Sequence, residues 1–242
     1  MSSTIWTPPA LASEARSFEL ALWRAVEAQH TVATRVLVDS QAEQALLEDI
    51  LEANKPAIPA ECRQLDYLLF TPFRYPSGQY GSRFRDVIDP GVWYGAETVQ
   101  AACAEVGYWR CRFVAASAGL STLDAVAHTL FRAQVGGPGI DLGASPFDVD
   151  AAVWRHGEDY GACRSLARTA RAAGLQLIRY VSARDPDRAA CAAVLDCRAF
   201  GGGRSITMRQ TWFLSVDSRR ASWVRTGSRP ERPEAWEFDY AA

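Results

Sequence analysis

Three polar side chains of kinds that carry chemistry are spaced evenly along one stretch of the sequence. Arg83, Tyr94 and Glu105 are separated by eleven residues in each interval. Arginine offers a planar fork of donors for phosphate, tyrosine a ring face and a hydroxyl, and glutamate a carboxylate that stabilises positive charge or orients a hydroxyl. We therefore expect residues 66–114 to form a functional site and not only part of a core.

The apolar pattern predicts the elements that position these three residues. The run at residues 67–70, which a proline closes, predicts a buried strand. A loop containing Gly and Ser then leads to Arg83, and residues 92–94 predict a short strand. Thr98 is a suitable N-cap for a helix, in which Glu105 lies at the border of the apolar stripe. The three polar residues thus fall at the ends of adjoining elements.

The rest of the chain predicts a mixture of helices and strands. The clearest helix ends at Gly174, a suitable C-terminal stop. The glycine-rich run at 136–139 lacks the Lys-Ser/Thr pair of a P-loop and is interpreted as a turn. An aromatic, acidic tail is expected to pack back on the body. Helices are predicted at 14–26, 42–53 and 160–174, and strands at 125–135, 175–181, 191–200 and in a hairpin at 206–224. The predicted class is α/β (α+β).

Composition limits the classes of function. The chain has 242 residues, 48% of them hydrophobic, which suits one sizeable globular domain. Its net charge of −2 gives no reason to expect direct nucleic-acid or membrane binding. No apolar run approaches the length of a membrane span. The six cysteines form no C-x-x-C pair, so we expect mostly reduced core cysteines, no metal site and a cytoplasmic protein.

Four residues in order resemble the signature of the RES-domain family, which is named for its Arg, Glu and Ser. The match extends over about residues 66–200. Upstream, the segment LWRAVEAQH resembles the first, arginine-bearing strand of such domains, which conflicts with the helix predicted at 14–26. The four residues are Arg83 in GSRFR, Tyr94 in VWYGAET, Glu105 in QAACAEV and Ser182 in YVSAR.

The resemblance implies an ADP-ribosyltransferase-like split β-sheet core with flanking helices. It divides the chain into an N-terminal helical extension at 1–62, which contributes to the site, and a RES domain at 63–242 that forms one compact unit with it. It also implies a toxin of a type II toxin–antitoxin pair that consumes NAD+ as its substrate. The implied partner is a cognate Xre/ParS-like DNA-binding antitoxin that blocks the active site, so that DNA contact belongs to the partner.

The chemistry of NAD+ cleavage gives each residue of the signature a role. Nicotinamide is a cationic leaving group, so positive charge develops on the ribose, and Glu105 is expected to stabilise it. Arg83 is expected to bind the pyrophosphate or a carrier phosphate through its fork. Tyr94 is expected to stack on the nicotinamide ring. Ser182 is expected to hydrogen-bond the ribose or the nicotinamide amide, and not to act as a nucleophile, because no His/Asp pair is arranged for it.

Two upstream residues are weaker candidates for binding the dinucleotide. Arg24 is either a second phosphate contact or an exposed helix position. His30 is either an acid or base at the site or, more in keeping with an isolated histidine, a hydrogen-bonded structural residue.

The resemblance leaves three functions open. The first is cleavage of the nicotinamide–ribose bond of NAD+ with water or phosphate as acceptor. The second is mono-ADP-ribosylation of a host protein, in which a side chain is the acceptor. The third is a binding module without turnover, against which the presence of all four signature residues argues.

Overall fold

The structure, a computed structural model, describes residues 6–28, 39–75, 80–201, 206–227 and 234–240. Its helices are α1 (Pro8–Ser13), α2 (Gln41–Ala53), α3 (Tyr67–Arg74), α4 (Val99–Ala116), α5 (Ala151–Trp154) and α6 (Gly161–Ala172). Its strands are β1 (Arg16–Glu27), β2 (Trp93–Ala96), β3 (Leu123–Asp141), β4 (Leu177–Val181), β5 (Ala190–Val194), β6 (Ile206–Val216), β7 (Arg220–Arg225) and β8 (Ala235–Asp239). Short 3-10 turns occur at Ala60–Cys62, Phe147–Asp150 and Cys197–Phe200.

The long strand β3 organises the sheet, because different parts of it pair with β1, β4 and β6. The strand order is β1-β2-β5-β4-β3-β6-β7-β8, and β1 also pairs with β3 along its whole length. Five strands therefore close a ring, whose junction between β1 and β2 is a single paired position, Trp23 with Ala96. Helices flank this divided sheet, which confirms the predicted α/β (α+β) class with a split sheet core.

The helix predicted at 14–26 is wrong, because this segment forms the strand β1. Apolar and polar residues do not alternate along β1, because other parts of the protein pack against both faces of this strand. Leu22 packs into one apolar cluster and Trp23 into the other, and both are buried. A strand buried on both faces loses the alternation that identifies a half-exposed strand. The division of the chain into an N-terminal extension at 1–62 and a RES domain at 63–242 stays a prediction.

The buried strand predicted at 67–70 is also wrong, because these residues begin the helix α3. The side chain of Asp66 accepts a hydrogen bond from the backbone N–H of Leu68 and caps the helix. A short apolar run fits a strand or a buried helical turn equally well, and here the cap decides. Pro72, expected to close a strand, lies inside the helix instead.

The glycine-rich run at 136–139 is part of β3 and not a turn. These residues pair with positions 16–19 of β1. A Cβ on Gly139 would lie 2.5 Å from the backbone oxygen of Leu177, so glycine there permits the close approach of β4. The strand predicted at 191–200 is shorter than expected, because β5 ends at Val194 and the turn Cys197–Phe200 follows.

Several other predictions are confirmed. The hydroxyl of Thr98 caps α4 by accepting from the backbone N–H of Ala101, and α6 ends before Gly174, whose φ is +73°. The hairpin of β6 and β7 forms at the predicted place. The aromatic tail packs back as β8, with Phe238 buried and the hydroxyl of Tyr240 donating to the carbonyl of Ala104 at 2.6 Å.

The cysteines only partly follow the expectation of reduced core residues. Cys62 and Cys197, whose Cα atoms lie 5.9 Å apart, form a disulfide that joins the turn before α3 to the turn after β5. The other four cysteines are free and buried: Cys103, Cys111, Cys163 and Cys191. No cluster of metal-ligating side chains occurs within the described ranges. Of the helices that the structure describes, none combines the length and the apolar character needed to cross a bilayer.

Candidate active site

A cavity of about 230 Å³ lies where β1, β2, α4 and the loop before β2 meet. Three of the four signature residues line it, and they come from different elements. Because the wall combines aromatic rings with charged side chains, the cavity suits a ligand that has both an aromatic and a polar part. Its lining comprises Trp23, Arg24, Ala25, Ser82, Arg83, Tyr94, Gly95, Ala96, Ala102, Glu105, Val106, Trp109, Tyr160, Tyr180 and Cys191.

Glu105 projects from α4 into this cavity and is held by Ser182. The hydroxyl of Ser182 donates to Oε1 of Glu105 at 2.6 Å. Oγ of Ser182 in turn accepts from the backbone N–H groups of Arg184 at 3.1 Å and Asp185 at 3.0 Å. Ser182 is only 2% exposed and is not among the lining residues. The structure therefore brings Ser182 to Glu105 and not to the cavity itself, and its direct contact with a ligand stays a prediction.

This contact predicts the effect of replacing Ser182 by alanine. Without the hydroxyl, Glu105 loses the partner that fixes its rotamer, and two buried N–H groups lose their acceptor. The role expected of Glu105 from the sequence, stabilisation of the transition state of NAD+ cleavage, predicts that S182A lowers kcat for this reaction by roughly tenfold with little change in KM. Steady-state kinetics of S182A beside S165A, a change at an exposed position of α6, measure this. A rise in KM at constant kcat would instead indicate that Ser182 binds the substrate.

Arg83 is buried at the cavity wall and is fixed on its far side by the chain around residue 155. Its Nη1 donates to the carbonyls of Trp154 at 2.8 Å and His156 at 2.9 Å. The guanidinium lies over the ring of Tyr160, 4.6 Å from the ring centroid. Both contacts fix the plane of the fork, which is what a phosphate-binding arginine needs for defined geometry.

Tyr94 lies in β2 and turns its hydroxyl toward the loop that carries Arg83. The hydroxyl is 2.7 Å from Oγ of Ser82, and it accepts from the backbone N–H of Phe84 at 3.1 Å. Burial raises the pKa of Tyr94, so the phenol is neutral at physiological pH. The hydroxyl therefore ties the Arg83 loop to the sheet, and the ring is left as part of the cavity wall.

Arg24 lies in β1 and faces the cavity, so the reading as an exposed helix position is wrong. Its Nη1 donates to the carbonyl of Tyr94 at 2.9 Å, and its guanidinium lies 5.3 Å from the centroid of the Trp93 ring. Its Nε is buried and has no hydrogen-bond partner among the residues that the structure describes. Burial lowers the pKa of Arg24 to about 10, which still leaves the side chain cationic at neutral pH. An anionic ligand would satisfy this charge, which favours the phosphate contact.

Other lining residues were not predicted from the sequence. Trp109 follows Glu105 by one helical turn, and this spacing could have predicted that both side chains lie on the same side of α4. Tyr160 and Tyr180 offered no such signal, because their places depend on tertiary packing. Burial raises the pKa of the Cys191 thiol well above its usual value, so this cysteine is not poised as a nucleophile. His30 lies outside the described residues.

Comparison with known proteins supports the sequence resemblance. The RES domain model matches residues 58–217. A chain of the crystal structure of the M. tuberculosis MbcT–MbcA toxin–antitoxin complex is similar at 15% sequence identity, with a TM-score of 0.47 and coverage of 84% of this chain and 86% of that chain. No curated protein matches the sequence. Since the family model spans well over half of the residues, the chain belongs to the RES-domain family.

Proposed function

We propose that this protein cleaves the nicotinamide–ribose bond of NAD+. The observation that carries the proposal is the carboxylate of Glu105, which Ser182 holds in a cavity that also contains the guanidinium of Arg83. A fixed negative charge beside a fixed phosphate-binding fork matches a substrate that develops positive charge on a sugar attached to a pyrophosphate.

In the proposed reaction the C1′–N bond of the ribose breaks and the bonding electrons leave with nicotinamide. Glu105 stabilises the positive charge that develops on the ribose, while Arg83 and Arg24 neutralise the pyrophosphate. Water or phosphate then forms a bond to C1′, and water loses its proton to solvent or to the carboxylate. The ring of Tyr94 packs against the nicotinamide. No step needs a metal ion.

Incubation of the purified protein with NAD+ labelled in the adenylate half tests the proposal. We expect free ADP-ribose when water is the acceptor and ADP-ribose 1″-phosphate when phosphate is added. If labelled polypeptide forms only in the presence of cell extract, the function is mono-ADP-ribosylation of a host protein and not cleavage with water or phosphate as acceptor. If NAD+ is recovered unchanged in buffer, with phosphate and with cell extract, the proposal is wrong.

We further propose that the protein is a cytoplasmic toxin restrained by a cognate Xre/ParS-like DNA-binding antitoxin. An enzyme that destroys NAD+ must be inhibited in its own host, and membership of the RES family supports such a partner. The cavity is lined by two arginines and one carboxylate, so an inhibitory segment should bring a carboxylate of its own to Arg24 and Arg83. DNA binding is assigned to the partner, since this chain carries a net charge of −2.

Competition between antitoxin and substrate is the expected consequence of this arrangement. NAD+ should bind the free toxin and fail to bind the saturated complex, because both ligands need the same arginines. Calorimetric titration of NAD+ into E105Q, alone and with the antitoxin, measures this without turnover. A saturated complex that still binds NAD+ with unchanged affinity would show that the partner does not act at this cavity.

A further inference from the structure

A second cavity, of about 800 Å³, lies beside the first, and Arg24 lines both. The second cavity lies between the α2–α3 segment and one end of β1, β3 and β6. Arg24 therefore forms part of the wall between the two spaces. Nη1 of Arg24 donates to the carbonyl of Tyr94, whereas its buried Nε has no partner within the described ranges and is open to a ligand that extends from one cavity to the other.

Residues from more than one face of α3 line the second cavity. Tyr67, Phe70, Thr71 and Arg74 follow the spacing of a single helical face, and all four are lining residues. The buried Leu69 of α3 points instead into the apolar core. Tyr67 remains 52% exposed and presents ring surface to the cavity, whereas Phe70 is half-buried and also packs against the apolar core. Exposed aromatic faces of this kind are where nucleic-acid bases stack.

The second cavity also carries an excess of positive charge. Its lining contains four cationic side chains and two carboxylates. One carboxylate, Glu52, is shared by Arg74 at 2.6 Å and Lys55 at 2.9 Å, and the other, Glu27, is paired with Arg110 outside the cavity at 2.5 Å. Arg209 is 3.4 Å from Asp66 and half exposed. Cations next to aromatic rings favour an anionic aromatic ligand such as a nucleotide.

The volumes of the two cavities indicate that each holds a different half of the dinucleotide. Pockets that enclose ligands of drug size have volumes of about 300–1,000 Å³, so the first cavity, at about 230 Å³, is too small for a whole dinucleotide. We propose that the second cavity binds the adenylate half of NAD+, with adenine on the α3 rings and the pyrophosphate at Arg24. This inference rests on the proposed function and assigns the part of the substrate that the first cavity does not hold.

The inference predicts a preference for the dinucleotide over nicotinamide mononucleotide, which has no adenylate half. Two substitutions in the second cavity test it: Y67A removes an aromatic face, and R209Q removes a cation. Each has a matched control. Y67F keeps the ring, and R219Q changes an exposed arginine that lines neither cavity.

We expect Y67A and R209Q to raise KM for NAD+ by roughly five- to tenfold, with kcat within about twofold of the wild type. Hydrolysis of nicotinamide mononucleotide should be unaffected by either change. Y67F and R219Q should behave as the wild type with both substrates. An equal effect of Y67A on both substrates, or no effect of Y67A and R209Q on KM for NAD+, would overturn the inference.

Binding of AMP, measured by calorimetry, separates this inference from the proposed function because AMP has no bond to cleave. We expect AMP to bind the wild type and E105Q equally and to bind Y67A and R209Q more weakly by a similar factor. If AMP binds in this way but NAD+ is not cleaved, only the proposed reaction fails. If NAD+ is cleaved but neither Y67A nor R209Q changes the affinity for AMP, only the assignment of the second cavity fails.

Discussion

Replacement of Glu105 by glutamine is expected to lower kcat for NAD+ cleavage by roughly 10²–10⁴-fold. Glutamine keeps the size of the side chain, and its amide oxygen can still accept from the hydroxyl of Ser182. What is lost is the negative charge that stabilises the ribose cation in the proposed reaction. The measurement is nicotinamide release at saturating NAD+, accompanied by growth of cells that express the variant.

Two matched variants complete this experiment. E158Q removes a carboxylate that pairs with Arg112 at the surface at 3.3 Å, and we expect no effect on cleavage. E105D keeps the charge but withdraws it from Ser182, so its kcat should fall between those of the wild type and E105Q. Thermal unfolding should be similar for all variants. Wild-type NAD+ consumption by a folded E105Q protein is the result that would falsify the role of Glu105.

Replacement of Arg83 by alanine is expected to raise KM for NAD+ by roughly 10–100-fold, the loss of one charge-assisted contact of about 1.5–3 kcal/mol. The same change leaves the carbonyls of Trp154 and His156 without their donor, so some loss of stability accompanies it. R83K separates the two effects, because lysine keeps the charge but not the fork. We expect R83K to have an intermediate KM.

The control for Arg83 is R112A, which removes an exposed arginine. Its partner Glu158 is also exposed, and such surface pairs contribute about 0–1 kcal/mol. R112A should therefore leave both KM and unfolding temperature unchanged. If R83A lowers the unfolding temperature but leaves KM at the wild-type value, Arg83 is a structural residue that supports the chain near residue 155.

The sequence allowed the candidate site to be predicted where the types of residue were themselves informative. Arg83, Tyr94 and Glu105 were chosen for their chemistry and order, and the structure brings all three to one cavity. The part of Ser182 could not be predicted, because a hydrogen bond between residues 77 positions apart depends on how β4 meets α4. The environment of Arg24 could not be predicted either, because it depends on the pairing of β1 with β2, which carries Tyr94.

The errors in the fold arise in elements whose apolar residues do not show the period of the element. In β1, Leu22 and Trp23 face different cores, so the apolar residues do not alternate and their spacing imitates a helix. In α3, four apolar residues in succession carry no period at all, and only the cap at Asp66 identifies the helix. Helices with one polar face, such as α6, were predicted correctly because their periodicity is preserved.

The contact between Tyr240 and Ala104 affects the order in which the candidate site forms during translation. The two residues are 136 positions apart, and Ala104 precedes Glu105 in α4. At about 5–20 residues per second, translation separates them by on the order of ten seconds. During that interval the nascent helix lacks the hydrogen bond from the Tyr240 hydroxyl and the packing of β8. The environment of Glu105 is therefore completed only after residue 240 has been synthesised, well after α4 itself.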